Sequence, residues 1–230
     1  MKIVLIFVLH FIFCSCYSQE SNFKFPNITN HANTLSGFIP SGWKIVDSVS
    51  SDFNKDGLKD IAMVISTIDS IQVQDTDCDV SSEPYYAKML IIVFRNLDNT
   101  FKLSITNTKL FGDCNWGIQE SDPYDKIFVR RNSFGIEFST GGTLRENSTY
   151  FFSYLNHDWF LIGESSFEYW AGHDGSYSVD INLQTGIKIS YEQSGIGSGK
   201  KTHYKKIVLG VKPLKKMQDF NEDIDSQLGE

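Results

Sequence analysis

The chain reads as all-β, or predominantly β with minor helix, arranged as an antiparallel meander or sandwich or as partial propeller-like sheets. Three observations predict this. Aromatics make up 14% of the 230 residues, with 18 Phe and 10 Tyr, and flat rings pack well on a pleated surface. Short runs rich in Ile and Val alternate with turns built from Asn, Asp and Gly. No long stretch carries the apolar spacing of an amphipathic helix.

Taken in order, the first residues form a targeting segment rather than part of the fold. Lys2 supplies a minimal positive region, and Ile3 to Phe13 is apolar apart from His10, too short to span a bilayer as a mature helix. Two processing readings stand side by side. Cleavage near Ser18 or Gln19, a signal peptide over 1–19, would release a soluble protein. Alternatively, Phe13-Cys14-Ser15-Cys16 resembles a loose lipobox ending before Cys16, which would carry an N-terminal lipid anchor. Either places the body outside the cytoplasm: periplasmic, secreted, or held at the outer membrane as a lipoprotein.

Residues 20–220 read as a single β-rich domain, with 221–230 a flexible tail. An extended arm or short helix runs to Ser36, and Pro40 and Gly42 make a turn before a strand from Trp43 to Val49. Ile61 to Ile68 and Met89 to Phe94 are continuous apolar runs, the pattern of strands buried on both faces. Lys88 to Arg95 and Phe101 to Thr106 form a hairpin about Asn96 to Thr100. Further hairpins pair Ile127–Arg130 with Phe134–Phe138, and Thr149–Leu155 with Trp159–Gly163. Tyr177, Val179 and Ile181 alternate with polar residues, as do Ile187, Ile189 and Tyr191 beyond the Gln184-Thr185-Gly186 turn. Ile207 to Val211 reads as the last strand.

The formal charge of −7 argues against nucleic-acid binding, which needs clustered Lys and Arg. Export changes the meaning of the cysteines. Cys14 and Cys16 belong to the leader, leaving Cys78 and Cys114 in the body, each 18 residues from Asn96 and so near the open end of one hairpin. In an oxidising compartment that pair reads as a disulfide, with two unpaired loop thiols the alternative.

One stretch carries chemistry: Asp52-Phe53-Asn54-Lys55-Asp56-Gly57-Leu58-Lys59-Asp60. Side-chain oxygens at Asp52, Asn54, Asp56 and Asp60, with the Leu58 carbonyl, make a ligand set for Ca2+, a hard cation that takes six to eight oxygens. Gly57 suits the sharp turn, where a left-handed backbone costs little only for glycine. Three carboxylates in nine residues repel one another unless a cation relieves them. Met63 stands where an EF-hand has its bidentate Glu, and a strand rather than a helix follows, so the loop is not an EF-hand. A solvated Asp-Gly turn is the plain alternative.

Asp52-x-Asn54-x-Asp56-Gly57-x-x-Asp60 followed by Ile61-Ala62-Met63-Val64-Ile65 resembles the calcium loop of FG-GAP and VCBS-type repeat proteins. More widely, Phe38-Ile39-Pro40-x-Gly42-Trp43, Trp159-Phe160-Leu161-Ile162-Gly163 and Leu183-x-Thr185-Gly186 resemble an uncharacterised family of exported bacterial proteins bearing that repeat label. The resemblance implies a β-rich exported protein using calcium structurally, and no established activity. It has one copy of the loop and no Gly-Ala-Pro triplet, and the chain is too short for a complete seven-bladed propeller.

The remaining signals are weaker. Phe167, Tyr169, Trp170 and Tyr177 gather around Gly172-His173-Asp174-Gly175; exposed rings there would contact a sugar or a partner protein, and core and rim packing of two strands is the alternative. Glu164, Glu168 and Asp174 are the acids a hydrolase would use. The scattered histidines form no spaced ligand set, and Ser139 to Gly142 and Gly195 to Lys200 read as loops. The functional expectation is therefore a non-enzymatic exported protein with a structural calcium loop, binding an unidentified protein or glycan. A carbohydrate-binding module, a periplasmic inhibitor or immunity protein, and a glycan hydrolase stand as rivals.

Overall fold

The computed structural model describes residues 23–71, 84–112, 121–170, 174–194 and 201–220. The leader with Cys16, the pair Cys78 and Cys114, the Gly195 to Lys200 loop and the 221–230 tail lie outside the described residues. Among the described residues, twelve strands form two antiparallel sheets. The first contains β1 (His31–Ala32), β2 (Trp43–Ser51), β3 (Asp60–Thr67), β4 (Lys88–Arg95) and β5 (Phe101–Asn107), in the order β1-β5-β4-β3-β2. The second is a meander in chain order: β6 (Tyr124–Arg130), β7 (Ser133–Gly141), β8 (Leu144–Leu155), β9 (Asp158–Trp170), β10 (Ser176–Asn182), β11 (Ile187–Ser194) and β12 (Lys201–Val208). The all-β class follows as expected, and the sheets do not close into a barrel.

The apolar runs of β3 and β4 are buried on both faces. Because side chains alternate, Ala62, Val64, Leu90 and Ile92 point one way, into a core shared with Phe134, Ile136, Phe138, Phe152, Trp159 and Leu161 of the second sheet. Met63, Ile65, Met89, Ile91 and Val93 point the other way, into a second core with Phe38 and Trp43. The arm before β2 covers that second face with Phe25, Ile28 and Leu35, and it does so as extended chain plus a single 3-10 turn at Leu35–Phe38. Burying each such side chain stabilises by about 1.5–3 kcal/mol, so leaving this face bare would be costly.

One side of the sandwich is stitched by Asp47. A bulge between Ile45 and Asp47 re-aims that carboxylate toward the second sheet, where Oδ2 accepts the Tyr124 hydroxyl at 2.9 Å and the Ile127 amide at 3.1 Å. On the opposite side the chain after β12 returns as a strap. Leu161 N–H donates to the Lys215 carbonyl at 2.9 Å, Asn107 Nδ2 donates to the Met217 carbonyl at 2.6 Å, and Met217 and Phe220 enter the shared core.

Four boundaries differ from the sequence reading. β8 begins at Leu144 and β9 runs on to Trp170, well past Thr149 and Gly163. β12 begins at Lys201 rather than Ile207, and Ser139 to Gly141 end β7 instead of forming a loop. In each case the added residues are polar or exposed. Ladder hydrogen bonds hold them and what they bury, such as Ser148, Glu164 and Ser166, is polar, so no hydrophobic alternation announces them.

Candidate functional site

The 52–60 loop joins β2 to β3 and is held at two buried points. Phe53 is a plug: it is fully buried and packs edge-on against Phe134 at 5.8 Å and Trp159 at 5.7 Å between ring centroids. Asp60 is a clamp, also fully buried. Its Oδ2 accepts the amides of Phe53 at 3.0 Å and Asn54 at 3.3 Å, and its Oδ1 accepts the Arg95 amide at 3.1 Å. Burial raises the Asp60 carboxyl above its ordinary value, against the lowering effect of these three amides.

Between the anchors the polar side chains turn to one another. Asp52 Oδ1 accepts the Asp56 amide at 3.0 Å and its Oδ2 accepts the Gly57 amide at 3.0 Å. Asn54 Oδ1 accepts the same Asp56 amide at 3.0 Å, while Asn54 Nδ2 donates to Asp56 Oδ2 at 2.8 Å. Asp56 Oδ1 accepts the Leu58 amide at 2.8 Å. Gly57 has φ of +89°, the left-handed backbone expected of it.

As a test of fit for calcium, this arrangement divides the expected ligands. Asp52, Asn54 and Asp56 come together around one amide, and each oxygen keeps lone-pair capacity beyond the bond it accepts. Asp60 instead faces inward, its carboxylate committed to three backbone amides from two segments. Among the described residues, no group of three or more His, Cys, Asp or Glu side chains is placed to hold a metal ion. Asp52, Asn54 and Asp56 thus gather within the loop, while Asp60 ties the start of the loop to the end of β4.

The four aromatics expected as one cluster do not form one. In the register of β9 with β10, Tyr169 stands opposite Ser176 and Phe167 opposite Ser178, whereas Tyr177 stands opposite Glu168. Alternation therefore puts Phe167 and Tyr169 on the outer face of the seven-stranded sheet, and Trp170 and Tyr177 on the inner face. All four are exposed, so none of them lies in the core.

Sequence reasoning missed two partners of the outer pair. Ser178 lies opposite Tyr191, and Tyr191 opposite Tyr204, so Phe167, Ser178, Tyr191 and Tyr204 form one row across four strands. Tyr191 and Tyr204 are exposed with ring centroids 5.4 Å apart, and Phe167 and Tyr169 lie 5.8 Å apart. The next row holds Tyr169, Ser176, Gln193 and Thr202. The available signal was Tyr204 itself, an aromatic in a strand whose neighbours are Lys, Thr and His.

The expected hydrolase acids on β9 do not converge. Glu164 and Glu168 share a face of β9 four residues apart, about 13 Å along a strand, beyond the span of about 5–9.5 Å that a glycosidase pair needs. Glu164 is buried, and Glu168 instead faces Glu146 across β8. Burial, and then the Glu146 charge, raise the Glu168 carboxyl. No helix among the described residues is long and apolar enough to cross a membrane. Comparison of the chain with protein-family models, with curated proteins and with solved structures gave no match.

Proposed function

We propose that this is a non-enzymatic exported binding protein whose ligand is a glycan, taken by the outer face of the seven-stranded sheet. The observation that carries this reading is the row of exposed rings at Phe167, Tyr191 and Tyr204, with Tyr169 beside it. A ring left in water offers a flat apolar surface to the C–H face of a sugar. The residues between these rings are Ser176, Ser178, Gln193 and Thr202, short hydroxyl and amide groups suited to sugar hydroxyls. A protein partner would favour a contiguous apolar centre, which this interspersed pattern lacks. Strand addition at the edge is opposed by Lys201, Lys205 and Lys206 on β12.

In this reading the 52–60 loop is a structural brace that takes calcium through Asp52, Asn54, Asp56 and the Leu58 carbonyl. Its support is the gathering of those three side chains and the resemblance of the motif to FG-GAP and VCBS-type loops. The ion would supply charge neutralisation, and Phe53 and Asp60 carry that order to both sheets.

The test is a glycan array with wild type and a Tyr191→Ala/Tyr204→Ala double variant. Both side chains are exposed, so the variant should melt as wild type does while losing at least tenfold in affinity for whatever glycans bind. An array on which wild type binds nothing, or on which the variant binds equally well, refutes the ring-face reading.

A further inference from the structure

On that same outer face, beside the ring rows, lies a groove of about 600 Å³ whose wall next to the 52–60 loop is cationic. We infer that this groove selects an acidic glycan, its sugar carboxylates or sulfates held by Lys55, Arg130 and Arg131. The inference rests on the reading of the outer face as a glycan surface and names the class of glycan it takes.

The three cations reach the groove from two elements that are locked together. Lys55 projects from the loop with φ of +65°, and Arg131 occupies the β6–β7 turn with φ of +58°. Asn132 Nδ2 donates to the Asp52 carbonyl at 2.8 Å, and Ser51 Oγ donates to the Arg131 carbonyl at 3.2 Å, so the loop and the turn are joined at two points. Arg130 lies over the Phe151 ring, 5.0 Å from its centroid, which holds the guanidinium in place at the groove wall.

Charge complementarity decides the occupant. The chain carries −7 overall, yet these three cations are exposed and make no ion pair among the described residues. The groove also carries carboxylates, the exposed Asp180 and the buried Glu164. Asp180 accepts the Ser165 hydroxyl at 2.7 Å and stands next to the Phe167 row, where a sugar hydroxyl is the fitting donor. One end of the track thus favours anions, and the rest is polar with small side chains. Gly163 deepens the floor: it lies opposite Phe151 and Asn182, and a Cβ there would come within 2.9 Å of the Ile181 carbonyl oxygen. An acidic peptide would satisfy the cations but not the ring rows.

The experiment measures binding of the full exported chain to polygalacturonate, alginate, hyaluronan and heparin, each beside its charge-neutralised derivative. The carboxylates are methyl-esterified and the sulfates removed. Polyglutamate is the peptide control. At least one acidic polymer should bind ten times more tightly than its neutral form, and the preference should shrink with added salt as charges are screened. Lys55→Asn and Arg131→Asn, which keep residues tolerant of a left-handed backbone, should abolish that preference without shifting the melting temperature. Equal binding of charged and neutral forms overturns the anion groove and leaves the ring face standing. No binding to any polymer overturns both, and equal binding to polyglutamate overturns glycan selectivity.

Discussion

The Asp60 carboxylate joins the first residue of β3 to the last residue of β4, taking the Arg95 amide on one oxygen while the other takes the start of its own loop. One buried side chain therefore fixes the loop to the β4–β5 hairpin. Asp60→Asn leaves an amide N–H₂ facing at least one of these backbone donors. Each buried group left unpaired costs about 1–3 kcal/mol, so the variant should lose at least that much stability. Urea denaturation with and without EGTA checks it: the loss should be the same in both, because it belongs to the clamp and not to an ion.

Asp56→Asn separates the metal from the scaffold. The amide oxygen still accepts the Leu58 N–H, but the charge is gone. Calcium at 100 times its Kd should stabilise wild type by about 2.7 kcal/mol. At this chain length that raises the melting temperature by roughly 5–10 °C. In EGTA the variant should lose only the exposed Asn54–Asp56 side-chain bond, about 1 kcal/mol or less, and it should gain little from calcium. If wild type itself shows no calcium-dependent shift, the loop is an ordinary Asp-Gly turn.

Asp47 and Tyr124 should be coupled. Burial, then the hydrogen bond to Asp47, push the Tyr124 phenol well above its ordinary range, so Tyr124 should stay protonated when other tyrosines ionise. Asp47→Ala strands the Ile127 amide as well as the hydroxyl, and should cost about 2–3 kcal/mol. Tyr124→Phe removes only one of those bonds and should cost about 1 kcal/mol. Once Asp47 is gone, Tyr124→Phe should cost almost nothing; strict additivity would mean that the two side chains do not share a bond.

Glu168 gives a pH signature. Its folded carboxyl lies above its unfolded value, so between those two values the folded state binds more protons and stability falls as pH rises. The cause beyond burial is Glu146, directly opposite on β8, and like charges so placed destabilise. Glu168→Gln should be more stable than wild type above that window, by about 0.2–1 kcal/mol, and equal to it below. Denaturation across acidic to neutral pH makes the comparison; a variant no more stable at neutral pH would argue against the repulsion.

How much of this was legible depends on what each residue buries. β3 and β4 were readable because nearly every side chain from Ile61 to Ile65 and from Met89 to Val93 enters one of two cores. The 52–60 loop was readable as a motif, but the sequence offered Asp60 as a ligand, because burial of a carboxylate behind three amides depends on where Arg95 comes to lie. The aromatic residues were noticed, while their division between faces depends on the register of β9 against β10. Tyr191 and Tyr204 meet only through pairing of β11 with β12. Lys55 sits inside the loop motif without a ligand role and nothing in the sequence marks Arg131; the Asn132–Asp52 and Ser51–Arg131 contacts bring them to one groove.

The return strap makes the last case, since Lys212, Lys215 and Lys216 carry no apolar pattern that marks it in the sequence. Its hold lies instead in Phe220, fully buried with its ring 4.9 Å from Tyr150 and 5.5 Å from Phe152, and in Met217 beside it. The Lys216–Asp158 pair at 2.7 Å is half exposed, and such pairs contribute little. Phe220→Ala should therefore cost about 3–5 kcal/mol, the usual range for emptying a buried aromatic site. Lys216→Ala should cost well under that, and its small effect should vanish as pH falls through the lowered carboxyl of Asp158, where the charge that Lys216 meets is lost. Chemical denaturation of the two variants side by side decides the matter. If they lose equal stability, the strap is held by charge at the surface and the core does not need its final aromatic.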